Sequence, residues 1–195
     1  GSGGLILPEH DVVVLDEADQ LEDIMSDTVG VQIAGGRFAG LAVALKQILD
    51  DPRIVGAIAE ASATVRDALV PFLGQRLSSP FPDAVQDMLL DVRGRIQNAQ
   101  DALRAIKTDV EDAKAKVVRG QQLATRLQET IDLALAARSG YVSFVSGGPD
   151  FPKLEIAPLE VGGVLERGIW SKRTAVLCSA TIPSSLGARV GLPET

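Results

Sequence analysis

Asp16, Glu17 and Asp19 stand together directly after the aliphatic run Val12-Val13-Val14-Leu15. Adjacent carboxylates at the end of a short apolar strand have the form of a Walker B element. There the first carboxylate holds Mg²⁺ and the second orients or deprotonates the attacking water in nucleoside triphosphate hydrolysis. What must position them is a strand, and four β-branched or aliphatic residues in a row suit one buried on both faces of a parallel sheet. Open α/β sheets bind their ligands outside the carboxyl ends of such strands. Far downstream, a second apolar run, Thr174-Ala175-Val176-Leu177-Cys178, ends in Ser179-Ala180-Thr181. Its hydroxyls would lie beside the carboxylates if the two strands were neighbours in one sheet.

Three compositional zones follow one another. Residues 5–33 read as strand, acidic turn and short amphipathic exit. Residues 34–139 read as helical, and residues 140–195 return to strand-like runs broken by Gly-Gly-Pro-Asp and Val-Gly-Gly turns. Strand chemistry at both ends of a helical middle predicts an α/β fold with a partial parallel sheet, interrupted by a mainly α-helical, coiled-coil-like insertion at 34–139. Two independent small domains are the alternative, although each end zone alone has too few strands to close a sheet.

Within the helical zone, Arg37 to Leu49 and Arg53 to Leu73 form two elements around Asp50-Asp51-Pro52, a stop followed by a proline suited to a first helical turn. From Val85 onward, apolar or small residues recur at alternating steps of four and three: Val85, Leu89, Val92, Ile96, Ala99, Leu103, and so on to Ala134. That seven-residue repeat keeps one seam facing a partner. With no proline between Asp83 and Arg138, it allows one helix of about 55 residues, roughly 80 Å long. Gly94 and Gly120 are its expected bend points. The seam is read as the packing face for the two earlier helices, with homodimeric pairing as the competing use. Flanking it, Gln86, Arg93, Gln100, Lys107, Lys114, Gln121 and Gln128 also recur every seven residues. Arg93, Lys107 and Lys114 in that row are candidates for following a phosphate backbone; the alternative is a solvated edge paired with acids of a neighbouring helix.

The net charge of −7 argues against nucleic acid only at first sight. Residues 1–30 hold eight acids and no Lys or Arg, so everything after residue 30 sums to +1. The single cysteine, Cys178, excludes an internal disulfide and any multi-cysteine cluster, and fits a reducing, cytoplasmic setting. It is read as an inert buried thiol. No apolar run reaches membrane-spanning length, so no membrane partner is expected. Seven aromatics leave little for base stacking. Trp170 is read as an anchor and His10 as a surface or hinge residue.

Taken together, these residues resemble a known family. The segment Leu7-Pro8-Glu9-His10-Asp11-Val12-Val13-Val14-Leu15-Asp16-Glu17-Ala18-Asp19-Gln20-Leu21-Glu22-Asp23, with its literal DEAD box, is similar to the second helicase motif of XPD/DinG-type superfamily 2 DNA helicases. Ser179-Ala180-Thr181 resembles their third motif, and Pro158-Leu159-Glu160-Val161 and Trp170-Ser171-Lys172-Arg173 fit the same pattern. In that family a helical Arch domain lies between the two motifs. The resemblance implies a partial RecA-like motor domain at 1–33 and 140–195, with an Arch at 34–139 that helps enclose or guide the translocating strand. It also implies ATP and Mg²⁺ as cofactors, and single-stranded DNA and the remainder of the helicase chain as partners, with translocation 5′ to 3′. Asp16 would hold Mg²⁺ through water, Glu17 would activate the hydrolytic water, and Asp19, Ser179 and Thr181 would couple hydrolysis to strand movement. Relatives usually carry histidine at the position of Asp19.

No Gly-Lys dipeptide occurs, so no P-loop is present to cradle phosphates. This chain alone, expected to be a monomer, is therefore expected to hydrolyse no ATP. An iron–sulfur cluster would be encoded upstream of this segment. Two rivals remain: a coiled-coil ATPase of the chromosome-maintenance type, and a non-enzymatic helical interaction module. The module reading leaves Asp16 and Ser179 far apart.

Overall fold

The structure, a computed structural model, describes residues 10–21, 24–25, 30–136, 140–159 and 161–192. Leu7, Pro8, Glu9, Glu22, Asp23, Arg138 and Glu160, which figure in the sequence reading, lie outside the described residues. The chain is mixed α/β and divides into two compact units, Gly1–Gly30 with Pro158–Thr195, and Val31–Ala157.

In the first unit, β1 (Val12–Leu15) and β6 (Thr174–Leu177) form a two-stranded parallel sheet. The expectation of strands buried on both faces does not hold here. Val12 is 54%, Val14 63% and Val176 44% exposed, because alternate side chains of a pleated strand point to opposite faces and only one face is covered. The covered face rests on Ala18, Leu21, Val161, Leu165, Leu186 and Val190. Trp170 is the anchor expected: its Nε1 donates to the Val190 carbonyl oxygen at 2.7 Å. Gly191, at φ 69°, passes so close to Gly162 that a Cβ on Gly162 would meet the Gly191 nitrogen at 2.8 Å, so glycine is required on both sides of the crossing.

The second unit packs four helices against an antiparallel sheet. These are α1 (Gly35–Leu45), α2 (Pro52–Leu69), α3 (Asp83–Ala105) and α4 (Glu111–Ala136), packed α1 on α2, α2 on α3 and α3 on α4, with α1 also meeting α4. Pro52 takes the first turn of α2, and the Asp51 carboxylate accepts the Arg53 N–H at 2.8 Å, as the stop-and-proline reading requires. The sheet, in the order β2-β5-β4-β3, comprises β2 (Val31–Ala34), β3 (Arg76–Leu77), β4 (Tyr141–Gly148) and β5 (Phe151–Pro158). Strands β4 and β5 thus belong with the helices, although the sequence grouped residues 140–158 with the motor domain. Their inward residues, Val145, Leu154 and Ile156, are buried against the helices, and this burial makes the sheet a lid on the bundle rather than part of the parallel sheet.

The single long helix is corrected to a hairpin. Helix α3 stops at Ala105, Ile106 turns extended at ψ 123°, and α4 begins at Glu111. The break falls at neither Gly94 nor Gly120. It falls where Thr108 and Asp109 favour side-chain bonds to the local backbone over helix: Thr108 Oγ1 accepts the Val110 N–H at 3.3 Å. Glu111 and Asp112 then place negative charge in the next first turn. The seam is buried on either side of the turn: Val85, Leu89, Val92, Ile96, Ala99 and Leu103 from α3 close on Gly120, Ala124, Leu127, Ile131 and Ala134 from α4, whereas Val110 in the turn is exposed and Ile106, Ala113 and Val117 are only half-buried. Gly94 is exposed within α3, and a Cβ there would meet nothing within 4 Å. Gly94→Ala should therefore stabilise the chain by about 0.5–1 kcal/mol through helix propensity, read as a raised urea midpoint at unchanged slope. An unchanged or lowered midpoint would count against a straight α3.

Candidate nucleotide-hydrolysis site

Parallel pairing with register Val12↔Thr174 to Leu15↔Leu177 puts the carboxyl ends of β1 and β6 side by side. The ladder continues beyond the strands: the Cys178 N–H donates to the Leu15 carbonyl and the Ala18 N–H to the Cys178 carbonyl, each at 2.9 Å. At the amino end the Thr174 N–H reaches the Asp11 carbonyl at 2.9 Å, and Arg173 Nε reaches that of His10 at 3.3 Å. Residues more than 150 positions apart in sequence are therefore fixed against each other by backbone.

The acidic box is a strained turn. Glu17 has φ 54° and ψ 43°, left-handed backbone that costs a non-glycine residue about 1 kcal/mol or more. Local hydrogen bonds hold it: the Glu17 N–H donates to Asp16 Oδ1 at 3.0 Å, and the Glu17 carbonyl accepts the Gln20 N–H at 2.9 Å. Such outliers recur at functional sites, where the surroundings fix them. The reversal has two consequences. Asp16 and Glu17 stay exposed at the end of the strand, and Ala18 is driven into the core at 1% exposure. Asp19 then swings back towards the neighbouring strand, where Ser179 Oγ donates to its Oδ1 at 2.6 Å. The same Ser179 oxygen accepts the Thr181 N–H at 3.3 Å. A serine that donates to a half-buried carboxylate while accepting an amide ties the two loops into one unit. The short distance is that of a charge-assisted bond.

Among the sequence-selected residues, Asp16, Glu17, Asp19, Ser179 and Thr181 lie at this one end of the two-stranded sheet. Thr181 joins through its backbone, and its side chain faces solvent. Cys178 is exposed rather than buried, because it continues the uncovered face of β6 that carries Val176. Among the described residues no group of three or more His, Cys, Asp or Glu side chains is arranged to hold a metal ion by itself.

The proposed basic row does not form one face. Arg93 lies on α3, Lys107 in the turn and Lys114 on α4, so the chain reversal separates them. Arg93 is bonded to Asp132 across the hairpin at 2.6 Å, and Lys114 to Glu111 at 2.9 Å. Arg93 thus has an acid of the neighbouring helix as its partner, as the alternative has it, whereas the partner of Lys114 is on its own helix. Among the described residues no helix is long and apolar enough to cross a membrane. No family model and no curated protein matches the chain.

Proposed function

We propose that this chain is the middle of the first motor domain of an ATP-dependent DNA helicase of the XPD/DinG type, with the helical unit as its Arch insertion. The observation that carries this reading is the hydrogen bond from Ser179 to Asp19 across the parallel β1–β6 pair. A helical interaction module gives no reason for two distant segments to meet with carboxylates on one and hydroxyls on the other. The open apolar face of β1 and β6 also supports it, since parallel sheets are ordinarily covered on both faces and further elements of a motor would do so.

In this reading Asp16 would hold Mg²⁺ through water, an ion that binding sites commonly hold by one or two carboxylates together with nucleotide phosphates. The exposed Asp16 carboxylate fits that role without a protein-only cage. The ion, when bound, neutralises charge developing on the phosphates. Glu17 directs the attacking water. Asp19 and Ser179 pass the state of that end of the sheet to the segment from Ala180 onward, which leads to Leu186 in the core.

The test is made in the parent protein, the longer chain that supplies the P-loop. Ser179→Ala should leave ATP turnover without DNA within about twofold and reduce its stimulation by single-stranded DNA about tenfold or more, the worth of a hydrogen bond to a charged group. Ser179→Thr, which keeps the hydroxyl, should restore much of the stimulation. Stimulation unaffected by Ser179→Ala would remove the coupling role.

A further inference from the structure

We propose that the second unit binds a small organic phosphomonoester in the cavity where β3 and β4 meet the start of α3 and the end of α4. The cavity measures about 510 Å³, a size usual for small-molecule sites. All of its lining residues belong to the second unit and none to the unit that carries the acidic box. The inference therefore goes beyond the helicase reading and does not rest on it.

The observation that carries it is Ser143. Pairing sets Ser143 opposite Leu77 of β3, and the period of two along β4 puts Tyr141, Ser143 and Val145 on one inward face. The buried neighbours on that side of the sheet, Leu77, Val145, Leu154 and Ile156, are all apolar. Ser143 is only 8% exposed, yet it lines the cavity, and no hydrogen bond with the described residues engages its hydroxyl. Burying a hydroxyl without a partner is unfavourable. A serine in an otherwise aliphatic row, opening on a cavity, is accounted for by a polar group that arrives from outside. Tyr141 lines the same cavity half-buried, and its hydroxyl is equally unengaged among the described residues.

The lining is graded from neutral to cationic. Ser143 and Tyr141 stand with Leu77 and Leu135 on the covered side, whereas Arg76 and Ser79 are exposed and form the rim. Arg76 is the one cation among the described lining residues, no carboxylate is among them, and no ion pair engages Arg76. An uncompensated guanidinium beside a hydroxyl donor matches the terminal oxygens of a phosphate. The phosphate is therefore assigned to the rim. The body of the ligand is assigned to the interior, with a flat apolar part between Phe81 and Leu135 and a hydroxyl that reaches Ser143.

The experiment uses the chain as it is, in isothermal titration calorimetry at low salt with para-hydroxyphenyl phosphate, phenyl phosphate and para-hydroxybenzoate as probes. The first should bind; phenyl phosphate should bind about fivefold more weakly, the effect of one neutral hydrogen bond. Arg76→Gln should weaken para-hydroxyphenyl phosphate about tenfold or more, as expected for a hydrogen bond to a charged group. Ser143→Ala should erase the preference for the hydroxylated ester. It should also leave the thermal midpoint of the ligand-free chain unchanged or raised, since the hydroxyl it removes has no partner to lose. Arg93→Gln, whose side chain is paired with Asp132 away from the cavity lining, should change no affinity. No binding of either ester by the unsubstituted chain, or undiminished binding by the Arg76→Gln chain, overturns the inference. A ligand-free midpoint lowered by Ser143→Ala also overturns it, because the hydroxyl then serves the fold. Equal binding of para-hydroxybenzoate overturns the assignment of a phosphate.

Discussion

Glu17→Gln in the parent protein lowers the maximal rate of DNA-stimulated ATP hydrolysis by about 10²–10⁴-fold, the range expected when a positioned general base is removed. The substitution is nearly isosteric and keeps one acceptor oxygen, so it removes the negative charge and basicity while leaving the turn intact. That separation matters here because Glu17 is the strained residue of the box at φ 54°. Its backbone bonds, from its own N–H to Asp16 and from Gln20 to its carbonyl, do not use the side chain. The Ser179–Asp19 bond is equally untouched. ATP affinity and the thermal midpoint should therefore stay near those of the unsubstituted protein, so that the loss is one of rate. Asp16→Asn would be less clean, since it alters both the proposed metal oxygen and the acceptor for the Glu17 N–H. Steady-state turnover with saturating ATP and single-stranded DNA is the measurement. A Glu17→Gln protein retaining turnover within about threefold would remove Glu17 from the chemistry, and with it the Walker B reading.

How much of this was legible in the sequence differs between the two units. The two strands were readable as apolar runs ending in polar residues, and their pairing followed from the helicase resemblance, which sets the two motifs side by side. Parallel strands with such ends place those residues together. Exposure of Val12, Val14 and Cys178 was not readable, since an apolar run reports what a strand can bury, not what covers it. The seam of α3 and α4 was correct as a face and misleading as a length. An antiparallel hairpin needs the same apolar spacing in both arms, so a periodic pattern passes through the turn unchanged. The turn itself, Ile106-Lys107-Thr108-Asp109-Val110, contains neither Gly nor Pro. Its signal was the pattern Thr108-x-x-Glu111 followed by Asp112, a helix-start signature that the periodicity outweighed. The same reversal dissolved the row of Arg93, Lys107 and Lys114.

Leu103→Ala should destabilise the helical unit by about 3–5 kcal/mol, the upper part of the range for a buried leucine truncated in a core that cannot collapse. Leu103 is fully buried near the end of α3, where the hairpin turns back. Gly120 lies across from it, and a Cβ on Gly120 would come within 3.5 Å of Leu103 Cδ2 and 2.9 Å of Ile48 Cδ1. Glycine has no side chain to move into the space vacated by leucine, and the Ile48 tip already fills the approach from the other side. The cavity therefore stays open, and its volume adds to the lost transfer energy. Leu90, on the same helix but 49% exposed, is the matched control, and Leu90→Ala should change stability by no more than about 0.5 kcal/mol. Urea unfolding followed by far-UV circular dichroism reads both, because the helices of this unit dominate that signal. The midpoint should also be independent of protein concentration, since the two arms of the seam belong to one chain; a homodimeric zipper would make it rise with concentration. Equal effects of Leu103→Ala and Leu90→Ala would mean that α3 and α4 do not pack as a hairpin.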